Sequence, residues 1–189
     1  MRAMARQTDT VPNAGMRWHR GRAAGWVLMA VALALPLKAR CEWLAAKRND
    51  VSRGGETEVA VTRNNDGFSL EIYRDASNTV YGRFTLPGHL LIIADGTCPT
   101  YQIDRGAPVN RSVNGDPCLV GGNWAEYTLG HVDNFRVDSS SLLAIMNGIA
   151  IAFRFKLENG DYRSTEFSLQ GSKRAIISAL GEDISIGPR

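Results

Sequence analysis

Histidine and cysteine are scarce in this chain, with three of each in 189 residues. No C-x-x-C and no H-E-x-x-H occurs, so the spacings that clamp zinc or arm a metalloprotease are missing. There is no G-x-S-x-G, the turn that presents a serine nucleophile in one large class of hydrolases. Gly121-Gly122 lies in loop-like sequence with no helix signal behind it, so no phosphate cradle is read there. Long apolar runs are absent too. The stretch from Ala23 to Leu37 has 15 residues, and a membrane-spanning helix needs about 20.

The flanks of that stretch give it a meaning. Arg2, Arg6, Arg17, Arg20 and Arg22 precede it with a single acid, Asp9; Pro36 stands near its end and the small Ala39 follows. A basic flank, a short apolar centre and a small-residue boundary mark a bacterial-type secretory signal. The sequence therefore predicts a signal over residues 1–39, started at Met16 and cut after Ala39. Leu37 is large for the third position before a cut, and Ala32 and Ala34 offer a second A-x-A. An uncleaved membrane anchor is the competing reading. Loss of residues 1–39 removes six of the 22 basic residues and one of the 19 acids, so a formal charge of +3 becomes −2. What remains has no extended basic patch, which disfavours nucleic acid as a partner. Membrane contact is expected only through the signal segment before cleavage.

Export decides how the cysteines are read. Cys41, Cys98 and Cys118 all follow the expected cut, and an oxidising compartment favours one disulfide. Cys98-Pro99 and Pro117-Cys118 are both loop-like, and a bridge between Cys98 and Cys118 would stabilise by about 3 kcal/mol through the unfolded chain. Cys41 is then the odd thiol, near a chain end; lipid modification is an alternative, with Arg40 standing where a small residue is wanted.

Residues 40–56 are polar, with Lys47-Arg48-Asn49-Asp50 and Gly54-Gly55, and read as a flexible N-terminal arm. A single β-rich domain is expected over 57–189. Val59 and Val61 alternate with polar or small neighbours, Asn64-Asn65-Asp66-Gly67 signals a hairpin, and Phe68, Leu70 and Ile72 alternate again. Val80, Phe84 and Leu86 suggest a third strand, with Gly82 as a weak point or bulge. Leu90-Leu91-Ile92-Ile93 reads as a short buried central strand, Tyr101–Ile103 as a short strand, and Trp124–Leu129 as another. Asp138 and serines 139–141 offer N-caps for a short helix closed by Gly148. Ile149, Ile151, Phe153, Phe155 and Leu157 make the clearest strand, and Asn159-Gly160 predicts a two-residue I′ turn to a partner over Tyr162–Leu169. Ser172 can cap a last helix with the stripe Ala175, Ile176, Ala179 and Leu180, stopped by Gly181. The expected fold is mainly β: an antiparallel, sandwich-like sheet domain of six to eight strands with two short helices, one packed over the sheet.

Chemistry is harder to find. His89 and His131 are expected at strand ends, away from any ligand cluster. His131 and Asp133 are expected to point in different directions, which argues against a triad. Eighteen acids follow the expected cut, and no spacing singles out a glycosidase pair. Trp43, Tyr73, Tyr81, Tyr101, Trp124 and Tyr127 can form a partner surface, although sheet core is the first reading for such residues. Asn110-Arg111-Ser112 matches a glycosylation acceptor, discounted because the signal looks bacterial.

The order of elements from Phe84 to Gly181 resembles the invasion-associated locus B family of secreted bacterial proteins. The features that carry it are F-T-L-P-G at 84–88 before apolar residues and Asp95-Gly96; the loop holding Cys98 and Cys118; the short helix ending at Asn147-Gly148 before an alternating strand; and S-L-Q-G at 168–171 before A-I-I-S-A-L. The resemblance implies a periplasmic or secreted β-rich protein, linked in some members to host-cell invasion or envelope stress, with no known enzymatic activity. The expectation is thus an exported, non-catalytic protein that binds an envelope or host protein and carries no cofactor. A secreted hydrolase acting on envelope polymers is the alternative.

Overall fold

Runs that alternate apolar and polar residues fold as strands here, and one kind of tight turn joins several of them. The structure, a computed structural model, describes residues 42–50 and 55–189. The expected signal over 1–39, with its start and cut, and Cys41 lie outside the described residues. The elements are β1 (Leu44–Asp50), β2 (Gly55–Arg63), β3 (Ser69–Arg74), β4 (Thr79–Thr85), β5 (Thr100–Ile103), β6 (Leu119–Gly121), β7 (Trp124–Asp133), β8 (Arg136–Asp138), α1 (Ser140–Asn147), β9 (Ala150–Lys156), β10 (Tyr162–Ser168), α2 (Ser172–Leu180) and β11 (Ser185–Gly187). The larger sheet runs β1-β2-β3-β4-β7-β8-β11, with β6 also on β7; the smaller runs β10-β9-β5. Only the β8–β11 pair is parallel among the described strands. The fold is mainly β with two short helices, and α2 packs against β1, β2 and β3.

Three hairpins share a three-residue loop. Asn64 N donates to Phe68 O, Asp75 N to Thr79 O and Leu157 N to Asp161 O, and in each the third loop residue donates back to the first of these. That residue is left-handed each time: Gly67 (φ 83°), Asn78 (φ 65°) and Gly160 (φ 92°). The expected two-residue I′ turn at Asn159-Gly160 is corrected by this geometry. An I′ turn needs positive φ at both central residues, and of the pair only Gly160 has it.

Period-two alternation places the core. In β9, Ile151, Phe153 and Phe155 are buried while Arg154 is exposed. Their side chains meet Leu70, Ile72, Phe84, Tyr127 and Leu129 of the larger sheet in one hydrophobic cluster. Phe84 stacks on Phe153 with ring centroids 4.4 Å apart and planes 5° apart. Phe155 lies 5.3 Å from Phe84, and Phe167 meets it edge-on at 6.3 Å. Phe68 completes the group, 5.9 Å from Phe84. A fully buried phenylalanine contributes about 1.5–3 kcal/mol by leaving water, so this cluster is the main apolar link between the sheets. Near it, Gly82 leaves room for Leu129, whose Cδ1 stands 3.0 Å from where a β-carbon would be.

Four expectations need correction. Leu44–Asp50 is a strand paired along its length with Gly55–Arg63, where the polar sequence suggests a loose arm over 40–56. Antiparallel pairing satisfies that backbone whatever the side chains are, and Trp43 anchors its start by donating Nε1–H to Ser168 O at 2.8 Å. Leu90–Ile93 is not a buried central strand. Leu90 is 96 % exposed, and of the four only Ile93 pairs, in a single bridge to Leu157. His89 accordingly sits in a turn. Ser172 does not cap α2. Gly171 holds the cap position, and the buried Ser172 hydroxyl donates to Ile145 O at 2.9 Å, tying α2 to α1. The cap on α1 is Ser139, whose Oγ accepts from Leu142 N.

One hairpin stands apart. β7 and β8 are joined by Asn134 (φ 46°) and Phe135 (φ 60°), and Phe135 is 66 % exposed. A left-handed backbone costs a bulky L-residue about 1–2 kcal/mol, and the exposed ring offsets little of it. Phe135→Gly is expected to raise the unfolding free energy by about 1 kcal/mol, measured by urea denaturation. A lower unfolding free energy would show that the ring packs in solution.

Candidate functional site

The smaller sheet buries one face against the larger sheet and turns the other outward. Register assigns the outer residues: Thr100, Arg154 and Ser164 form one row, Gln102, Ala152 and Glu166 the next, and Lys156 faces Tyr162. At the end of β5 the chain passes Pro108 and returns to bridge Tyr101 through Val109. Between these elements lies a half-open groove of about 410 Å³ lined by Thr97, Cys98, Thr100, Gln102, Pro108, Ala152, Arg154, Phe155, Lys156 and Tyr162, within the size range of small-molecule sites.

Its chemistry is two-sided. Cys98, Pro108, Ala152 and the Tyr162 ring give apolar surface. Arg154 and Lys156 give charge, and neither forms an ion pair among the described residues. The Lys156 ammonium stands 5.8 Å from the Tyr162 ring centroid, a cation–π distance that keeps it over the groove. No acid lines the groove among the described residues. One wall is the bond between Cys98 and Cys118, whose Cα atoms are 5.7 Å apart. It ties the entry of β5 to the start of β6, a strand of the larger sheet. Cys98 Sγ also accepts from Cys118 N at 2.9 Å.

A second polar cluster occupies the outer face of the larger sheet. Arg83 donates to Glu126 Oε2 through Nε at 2.8 Å and reaches the same oxygen through a terminal nitrogen at 2.6 Å. The Tyr73 hydroxyl donates to that carboxylate as well. Arg48 pairs with Glu71 and lies 4.4 Å from the Tyr73 ring centroid, while Arg83 lies 4.6 Å from that of Trp124. Glu126 is only 4 % exposed and Tyr73 not at all, so this is packed structure that joins β1, β3, β4 and β7. Sequence reasoning missed it because the partners lie on four strands. The available signal was an acid between Ala125 and Tyr127 inside a strand.

The remaining expected residues scatter. His131 and Asp133 emerge on the same exposed face of β7, as residues two apart on a strand do; the expectation that they diverge is wrong. They line a polar hollow with Thr79, Thr128, Arg136 and Asp138 that holds neither serine nor cysteine among its described residues. Among the described residues no three or more His, Cys, Asp or Glu side chains are placed to share a metal. Trp43, Tyr73, Tyr101 and Tyr127 are buried, and Tyr81 and Trp124 half-buried, so the aromatic set is mostly core. Ser112 is buried, and its hydroxyl accepts from Thr128 N.

No family model and no curated protein matches the sequence. Among solved structures, the crystal structure of invasion associated protein b from Bartonella henselae is similar, with a TM-score of 0.46 and 12 % identity, covering 74 % of this chain and 93 % of that one. The resemblance is one of low identity over part of the chain. No helix among the described residues is long and apolar enough to cross a membrane.

Burial and the hydrogen bond to Glu126 push the Tyr73 phenol up to about 12. Burial also raises Tyr101 and Tyr127. A phenol raised in the folded state leaves stability intact below its unfolded value of 10.0 and takes it away as pH climbs through the folded value. Urea midpoints are therefore expected to hold level up to about pH 10 and then to fall toward pH 12. Tyr73→Phe is expected to lose about 1–2 kcal/mol at neutral pH and to show a shallower alkaline fall. An unchanged alkaline slope in that variant would contradict the assignment.

Proposed function

We propose that this chain is an exported, non-catalytic binding protein of the bacterial envelope, related to the invasion-associated locus B proteins, and that it works through the groove on the smaller sheet. The observation that carries the reading is the groove itself. It combines an apolar floor with two cations and, among the described residues, no acid in its lining, so the lining brings together no nucleophile, base and orienting acid of the kind a hydrolase requires. Residues 1–39 support export, since a basic flank, a short apolar run and a small boundary residue serve secretion. The Cys98–Cys118 bond suits the same destination. The motif order from Phe84 to Gly181 supports the family relationship. The partner on this reading is a component of the envelope or of a host cell, and no cofactor takes part.

Fractionation and cross-linking test it together. The processed protein is expected in the periplasm or medium. A photo-reactive phenylalanine analogue at Tyr162 is expected to capture an envelope component, and the same group at Phe135 to capture none. Processed protein confined to the cytoplasm, or equal capture from both positions, would overturn the reading.

A further inference from the structure

The lining of the groove says what kind of molecule it holds. Three features act together. Arg154 and Lys156 project from one strand, two residues apart and so on one side of the sheet. No acid lines the groove among the described residues; the acid that register places on this face, Glu166 opposite Ala152, is outside it. Thr100 adds a hydroxyl in the same row as Arg154. Below these, Ala152 is small enough to leave the floor open, and Pro108 and the disulfide wall make it apolar.

Two neighbouring cations without a counter-charge repel each other, and on a domain whose formal charge is −2 after loss of residues 1–39 they stand out locally. An anion between them removes the repulsion and gains charge-assisted hydrogen bonds from both. A simple anion from solution can do that equally well. What a simple ion cannot do is cover the apolar floor, and burial of that surface adds affinity.

We propose that the groove binds a small amphiphilic anion: an acyl or aryl body lying on Ala152, Pro108 and Tyr162, ending in a carboxylate, sulfonate or phosphate held by Arg154 and Lys156. This rests on the reading of the groove as the working surface and adds the chemical class of its ligand.

The test uses a pair of probes that differ only in a sulfonate group. 8-Anilinonaphthalene-1-sulfonate is an aryl anion, and N-phenyl-1-naphthylamine is the same body without the sulfonate. Each is titrated by fluorescence into the folded, oxidised protein lacking residues 1–39. The wild type is expected to bind the anion saturably at one site and at least tenfold more tightly than the neutral probe. Arg154→Gln with Lys156→Gln is expected to weaken the anion by about tenfold, consistent with loss of charge-assisted contacts, and to change the neutral probe less than twofold. Ala152→Trp is expected to weaken both by occupying the floor, with its circular dichroism unchanged. Equal affinity of the wild type for the two probes overturns the proposal, as does anion binding that the double variant leaves intact. If the probes fail in this way while cross-linking from Tyr162 still captures an envelope component, the ligand class is wrong and the groove reading stands. If both fail, the groove reading falls as well.

Discussion

The stack of Phe84 on Phe153 holds this structure together. Its rings, 4.4 Å apart, join the middle of the larger sheet to the middle of the smaller one. Phe68, Phe155 and Phe167 close around them, so five of the six phenylalanines in the chain lie in one cluster. With this contact the three-stranded sheet has a buried face, and three strands need one to be stable. Its opposite face can then carry charge and an open hollow without losing order. The groove depends on a core that lies on the far side of its own strands.

The larger sheet manages its two faces differently. One carries the aromatic core. The other is covered by Arg48, Glu71, Tyr73, Arg83, Trp124 and Glu126, bonded and stacked across four strands. Breaking such a network from one side leaves a buried charge behind and costs more than the network contributes, which fixes strand register. The two polar surfaces of the domain thus differ in kind. On the larger sheet opposite charges are matched and sealed. On the smaller sheet like charges stand together over an opening.

Much of the fold was legible in the residues. Ile151, Phe153 and Phe155 alternate without a break, Asn64 to Gly67 and Asn159-Gly160 announce turns, and Ser139 caps its helix as such residues do. Other features were hidden for physical reasons. Lys47-Arg48-Asn49-Asp50 looks like a solvated arm, yet its backbone pairs with β2 and Arg48 is held by Glu71 and Tyr73. Leu90 to Ile93 looks like core, yet only Ile93 is buried in it and Leu91 packs at its edge, because the chain is turning there. Ser172 looks like a cap but is drawn to Ile145 O in the neighbouring helix. Tertiary contacts override local preference in each case. The groove was illegible for a further reason: Thr100, Arg154 and Tyr162 come from three strands, and only register makes them neighbours.

Amide chemical-shift mapping tests the central claim most directly. The oxidised protein without residues 1–39 is labelled with nitrogen-15 and titrated with 8-anilinonaphthalene-1-sulfonate. On this account the saturable shifts are confined to residues 97–102, 152–156 and 162, with small changes at most in β1 to β4. Shifts centred on the Arg48–Glu126 cluster or on the Phe135 tip, with the groove amides unmoved, would contradict it.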